Sequence, residues 1–243
     1  MIEKKAPTGT GPLARFQNEA GTSGYDANSA AARPTPPEEY AHLHADIEVA
    51  SDPGQCFVVG VTSAVYGEGK TTVAMNLAGT IAQNSTQHVV LVDCNLRNWD
   101  LQTRLNLPNC PGLVDIIEGE EGDLESILQP TELDNLTIVP AGCAASNPAR
   151  VVRSPRLAHI LDQLRKTNAY MVVDMAPVLP VADTRVLARS LDGVVMVVRA
   201  GVTPREVAAR AIDMIGSDRV LGVVLNGAES AVPAWLQRLL HLS

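Results

Sequence analysis

The chain has 243 residues, 46% of them hydrophobic, enough to bury one sizeable core but not to build a second large domain once a polar tail is set aside. Its formal net charge of −8 argues against a nucleic-acid scaffold. Cys56, Cys94, Cys110 and Cys143 lack the close paired spacing of a zinc site or disulfide framework, and no apolar run approaches the roughly 18 residues that span a bilayer. A reduced cytosol and, at most, a peripheral membrane link follow as expectations.

Met1 to Pro37 is rich in Gly, Ala, Ser, Thr and Pro, and its few large apolar residues lack periodicity. That composition predicts a disordered linker over residues 1–35, followed by one domain over 36–243. Thr35-Pro-Pro-Glu38 has the spacing of a capping box, with prolines in the first turn, and predicts a helix from about Pro36 to Ala50 with Tyr40, Leu43 and Ile47 on its apolar face.

The next stretch, Cys56 to Ala78, runs from an apolar strand through a glycine turn into a helical pattern with a lysine at its mouth. Ala64, Gly69, Lys70 and Thr71 fit the relaxed phosphate-loop spacing: Ala or Gly, four residues, then Gly-Lys-Ser/Thr. In such a loop the backbone N–H groups of Val65, Tyr66, Gly67, Glu68 and Gly69, continuing into Lys70, Thr71 and Thr72, point inward at phosphate. The lysine reaches the outer phosphates, and the threonine hydroxyl holds Mg²⁺. The positive end of the following helix adds to the attraction.

His88-Val-Val-Leu-Val-Asp93 and Ala169-Tyr-Met-Val-Val-Asp174 are apolar runs that each end in a carboxylate. Runs without polar alternation read as parallel strands buried on both faces, whose carboxyl ends line the ligand crevice. Two such aspartates behind a phosphate loop suit the holding of Mg²⁺ and the orienting of an attacking group, so Lys70, Asp93 and Asp174 form the candidate catalytic set and Thr71, Asp93 and Asp174 the metal set. Short helical patterns over Gly112–Gly119 and Asp123–Leu128 lead to a strand at Asn135–Pro140 and a helix from Pro155 to about Lys166. Beyond Asp174 come a helix near Asp183–Arg189, a strand at Gly193–Val198, a helix at Pro204–Ile215 and a strand at Val220–Leu225. The alternation predicts an α/β fold, a mostly parallel sheet with helices on both faces. Trp235, Leu236, Leu239, Leu240 and Leu242 fit a short amphipathic last helix, either packed on the core or lying on a membrane.

In the order in which they occur, Gly67-Glu-Gly-Lys-Thr71, Val89-Val-Leu-Val-Asp-Cys-Asn-Leu-Arg97, Pro111-Gly-Leu113, Pro140-Ala-Gly142, Asn147-Pro-Ala149, Val172-Val-Asp174 and Gly222-Val-Val-Leu-Asn226 resemble the bacterial tyrosine kinases of capsule and exopolysaccharide assembly. The resemblance covers about Glu38 to Asn226 and implies the fold of the MinD and ParA type P-loop ATPases, with ATP and Mg²⁺ as cofactors. It implies Asp93 near a tyrosine hydroxyl, Asp174 ordering the metal's water and Asn226 facing adenine. It further implies a cytoplasmic protein, held at the inner membrane through the cytoplasmic tail of a separate transmembrane chain-length regulator, with homo-oligomers as an open alternative.

Several positions depart from the family's pattern. Asn95 stands where the second aspartate after the strand belongs, Tyr66 replaces the loop's proline, and Met175-Ala-Pro177 replaces Thr-Pro-Pro. Glu38, Ala41 and His44 occupy the ring motif Glu-x2-Arg-x2-Arg, and the last tyrosine is Tyr170, so the terminal tyrosine cluster has no counterpart. Weak or lost kinase activity is the expectation. The competing readings are a positioning ATPase of the MinD or ParA type, in which a lysine would stand at Val65, and a module that holds ATP without turnover.

Overall fold

The computed structural model describes residues 38–98, 100–107, 111–119 and 122–227. Helix α1 (Glu38–Ala50) precedes β1 (Phe57–Ser63), α2 (Lys70–Asn84), β2 (Val89–Cys94), α3 (Asp100–Arg104) and α4 (Leu113–Glu118). Then follow β3 (Gln129–Pro130), β4 (Leu136–Val139), α5 (Pro148–Val152), α6 (Pro155–Thr167), β5 (Tyr170–Met175), α7 (Asp183–Ala188), β6 (Gly193–Arg199), α8 (Arg205–Ile215) and β7 (Val220–Asn226). These strands make one sheet in the order β3-β4-β2-β5-β1-β6-β7. Every pairing is parallel except that of β3, a two-residue edge strand antiparallel to β4.

Every residue of β1, β2 and β5 is buried, as their unbroken apolar runs predict. Successive residues divide between two cores. Val59, Val61, Leu91, Val172, Val195 and Val197 pack with Leu77 and Ile81 of α2 and Ile47 of α1. Val58, Val90, Val92, Met171, Val173 and Met196 pack with Leu157, Ile160, Leu161 and Leu164, the buried stripe of α6. That period of two along strands and of three to four along a helix is what places α2 on one face and α6 on the other.

The chain leaves β1 through α2 and returns as β2, with β5 filling the place between, while β6 and β7 extend the sheet the other way. Such a change of direction opens a crevice at the carboxyl ends of the central strands. Asp93 is in register with Asp174, and Asp174 also lies beside Val61 of β1, so the phosphate-loop strand and both carboxylate strands end at the same level.

Differences from the sequence-based expectations are local. Helix α1 ends at Ala50, as predicted, and Pro36 and Pro37, where its start was expected, lie outside the described residues. The Asp123–Leu128 segment is a 3-10 turn over Leu124–Ile127, started by the Asp123 carboxylate, which accepts from Ser126 N at 2.9 Å. Strand β3 and the one-turn helices α3 and α5 carry too few residues to show a period and were not expected. The linker over residues 1–35, the helix proposed around Trp235–Leu242 and Cys110 lie outside the described residues. No described helix is long and apolar enough to cross a membrane.

Candidate functional site

The loop between β1 and α2 is closed by its own residues. Ser63 Oγ donates to Val65 O at 2.7 Å, and Val65 N donates to Glu68 Oε2 at 2.7 Å, so a four-residue turn is locked from both sides. The same Glu68 carboxylate, only 2% exposed, accepts from the Thr203 hydroxyl and from Arg199 N, tying the loop to the connection after β6. Gly67 (φ 81°) and Gly69 (φ 91°) take the left-handed conformation that this path requires. At Gly69 a Cβ would stand 2.0 Å from Asn226 Nδ2. The bare glycine lets the last residue of β7 close on the loop, where Asn226 donates to Glu68 O at 2.9 Å.

Lys70 and Thr71 open α2 directly behind Gly69, both buried. Lys70 Nζ donates to Thr71 Oγ1 at 3.2 Å and stands 3.8 Å from Asp174 Oδ1. The Thr71 hydroxyl donates to Asp174 Oδ2 at 2.7 Å. Across the crevice Asp93 Oδ1 accepts from Asn95 N at 2.9 Å. Asp93 Oδ2, Asp174 Oδ1 and both amide atoms of Asn95 are buried without any hydrogen-bond partner.

Each such orphaned group costs roughly 1–3 kcal/mol. A fold that keeps four at the ends of two adjacent strands suits a ligand that satisfies them. Burial, and then the charge of Asp174, pushes the Asp93 carboxyl well above the usual carboxylate range. Burial raises Asp174 as well, opposed by the Lys70 ammonium and the Thr71 hydroxyl. Two buried carboxyls that resist ionising side by side favour a cation between or beside them.

The donors present, a threonine hydroxyl and carboxylate oxygens, are the hard oxygen ligands that Mg²⁺ accepts. Among the described residues no group of three or more His, Cys, Asp or Glu could hold a metal alone. The residues therefore fit a nucleotide with Mg²⁺.

The structure brings Lys70, Thr71, Asp93 and Asp174 together, with Glu68, Gly69 and Asn226 forming the loop behind them. Val65 and Tyr66 stand outward at the tip, 36% and 52% exposed. Thr72 lies one residue along α2 and lines a surface groove with Asn76 and Asp100. Sequence reasoning missed Thr203 and the clamping role of the Glu68 side chain, because a contact across 135 residues leaves no local signal. It also missed Asp100 and Arg104 of α3, whose charges reach Asp174 and, for Asp100, Asp93.

The family description "ParA: NUBPL iron-transfer P-loop NTPase" matches residues 56–237. Tyrosine-protein kinase YwqD of Bacillus subtilis (strain 168) is 32% identical over 192 residues, covering 78% of this chain and 80% of that protein. Succinoglycan biosynthesis transport protein ExoP of Rhizobium meliloti (strain 1021) is 30% identical over 177 residues, 70% of this chain but only 22% of the relative's length. Among solved structures, the VpsO kinase domain superposes with a TM-score of 0.68 at 31% identity, covering 79% of this chain and 98% of that one.

Proposed function

Since the chain belongs to the ParA family of P-loop NTPases, within which its relatives are bacterial tyrosine kinases, we propose that it binds MgATP and serves capsular or exopolysaccharide biosynthesis as a kinase-like protein with weakened phosphoryl transfer. The observation that supports this best is the set of orphaned buried atoms on Asp93, Asn95 and Asp174, with Lys70 and Thr71 of α2 set against Asp174.

The loop's N–H groups would cradle the phosphates, Lys70 would neutralise the outer ones, and Thr71 with Asp174 would hold the metal. Bound Mg²⁺ supplies positive charge that offsets the charge developing on the transferred group. Asp93 would take the proton of an attacking hydroxyl in its ionised form, which the charge of Lys70 favours and a bound cation would favour further. Asn95 orients without charge: its amide can donate and accept but cannot neutralise. Transfer depends on positioning and electrostatics, so an amide in that place should slow turnover more than it weakens binding.

The partner that this reading implies is the cytoplasmic tail of a transmembrane chain-length regulator, which would hold the protein at the inner membrane. A positioning ATPase of the MinD or ParA type is less well supported, since the loop lysine expected of it is replaced by Val65. The test is to purify the full chain with and without the tail of a regulator encoded beside it, then measure ATP binding, hydrolysis and phosphotyrosine. Binding in both samples, with turnover raised by the tail, is expected. Absence of MgATP binding in both would contradict the reading.

A further inference from the structure

We propose that Tyr66 is a phosphorylation site, modified in trans by a second copy of this chain, and that its phosphate shuts the nucleotide cradle. The proposal rests on the kinase reading above. Its starting point is accessibility. Among the described tyrosines, Tyr40 is half-buried and its oxygen accepts from Asn76 Nδ2 at 3.2 Å, and Tyr170 is 8% exposed with its ring edge-on to His44 at 5.7 Å. Tyr66 is 52% exposed at the tip of a tight turn, between the exposed Val65 and a glycine whose surroundings are open. A phenol entering another molecule's crevice must protrude in this way. Tyr25 lies outside the described residues.

The loop's anchoring decides between cis and trans. An acceptor oxygen must approach the γ-phosphorus roughly opposite the oxygen that leaves. Tyr66 belongs to the loop that would hold the phosphates, and that loop is pinned at Val65 N by Glu68, which is itself held by Thr203 and Arg199. A pinned cradle cannot swing its own tip round behind its cargo, so the ATP must sit on another copy. There the Tyr66 phenolic oxygen forms the new P–O bond, the bond from the γ-phosphorus to the β–γ bridging oxygen breaks, ADP leaves with the electron pair, and the phenolic proton passes to the donor copy's Asp93 carboxylate.

The consequence is electrostatic. A phosphotyrosine carries a charge of about −1.5 to −2 and three strong acceptor oxygens. Carried on the loop three residues before Gly69 and four before Lys70, that charge repels an arriving triphosphate.

The test uses the full chain. Parent protein is incubated with MgATP and its phosphotyrosines are mapped by mass spectrometry. Lys70→Ala protein, or Asp174→Asn should the first not fold, is incubated alone and mixed with parent, and Tyr66→Phe serves as the blank for the assigned peptide. Expected results are phosphate on Tyr66 in the parent, on the Lys70→Ala chain only when parent is added, and at least about tenfold weaker MgATP binding by the phosphorylated fraction. Protein that binds MgATP while Tyr66 stays unmodified, or that carries phosphate only on Tyr25, Tyr40 or Tyr170, overturns the proposal and leaves the nucleotide-site reading standing. Phosphate on Tyr66 with unchanged affinity overturns the switch. Failure of the parent to bind MgATP at all overturns the function on which the proposal is built.

Discussion

Asn95 is 1% exposed and neither atom of its amide has a hydrogen-bond partner, a situation tolerated where a ligand completes the network. Restoring a carboxylate there adds charge beside the metal position, so Asn95→Asp should raise the ATPase or kinase rate about tenfold, roughly 1.4 kcal/mol of barrier. Nucleotide affinity should change less. Paired single-turnover kinetics and ATP titrations check this, and an unchanged or slower rate would show that the amide is not what limits transfer. The same substitution puts a third carboxylate beside two that already resist ionising, so the ligand-free protein should also melt at a lower temperature.

Asp93 gives the complementary prediction. Its carboxyl is raised in the folded state, by burial first and by Asp174 second, so the folded state holds a proton that the unfolded state releases. Stability should therefore fall as pH rises from the ordinary carboxylate value near 3.9 through the raised one, where the charged form becomes unavoidable. Asp93→Asn removes that loss and should raise the melting temperature of the ligand-free protein at neutral pH while abolishing turnover. Thermal melts of parent and variant across pH read it directly, and a variant less stable than the parent at neutral pH would contradict it. At this scale Lys70, Thr71, Asp93 and Asp174 were legible because loop spacing and strand-end carboxylates are local signals. The Glu68 clamp and the orphaned amide became visible only when distant segments came together.

Among the elements, β1 and α6 share an anchor in the turn before β6. Val58 N donates to Asp192 Oδ2 at 2.7 Å, Asp192 N donates back to Val58 O at 2.9 Å, and Arg165 of α6 reaches the same carboxylate at 3.0 Å. Asp192→Ala would leave the buried Val58 N–H without its acceptor. The expected loss of stability is about 1–3 kcal/mol, read as a lower urea midpoint with an unchanged slope. Strand positions were readable to within one or two residues because β1, β2 and β5 are apolar runs up to their last two residues, and α6 because its leucines and isoleucine keep helical spacing behind Ser154 and Pro155. Helices α3 and α5, five residues each, were not readable. A single turn has no period, and the position of α5 is set by Asn147, whose side chain accepts from Arg150 N at 3.1 Å. Strand β3 contains Pro130, which is compatible only with the edge position it occupies.

For the whole molecule, the strand–helix alternation and the phosphate loop were sufficient to read a parallel sheet, whereas the strand order that aligns Asp93 with Asp174 needed the structure. A site that keeps orphaned carboxylates should gain most when filled. At a hundredfold excess over its dissociation constant MgATP should stabilise the protein by about 2.7 kcal/mol, a rise in melting temperature of roughly 5–10 °C for a chain of this size. The central claim, that this crevice is a nucleotide site served by Lys70, is tested most directly by calorimetric titration of MgATP into the parent and into Lys70→Ala protein shown by circular dichroism to be folded. Saturable binding by the parent and at least about tenfold weaker binding by the variant are predicted, in keeping with the roughly 1.5–3 kcal/mol of a hydrogen bond to a charged group. A variant that binds as tightly as the parent, or a parent that binds nothing, would contradict the account.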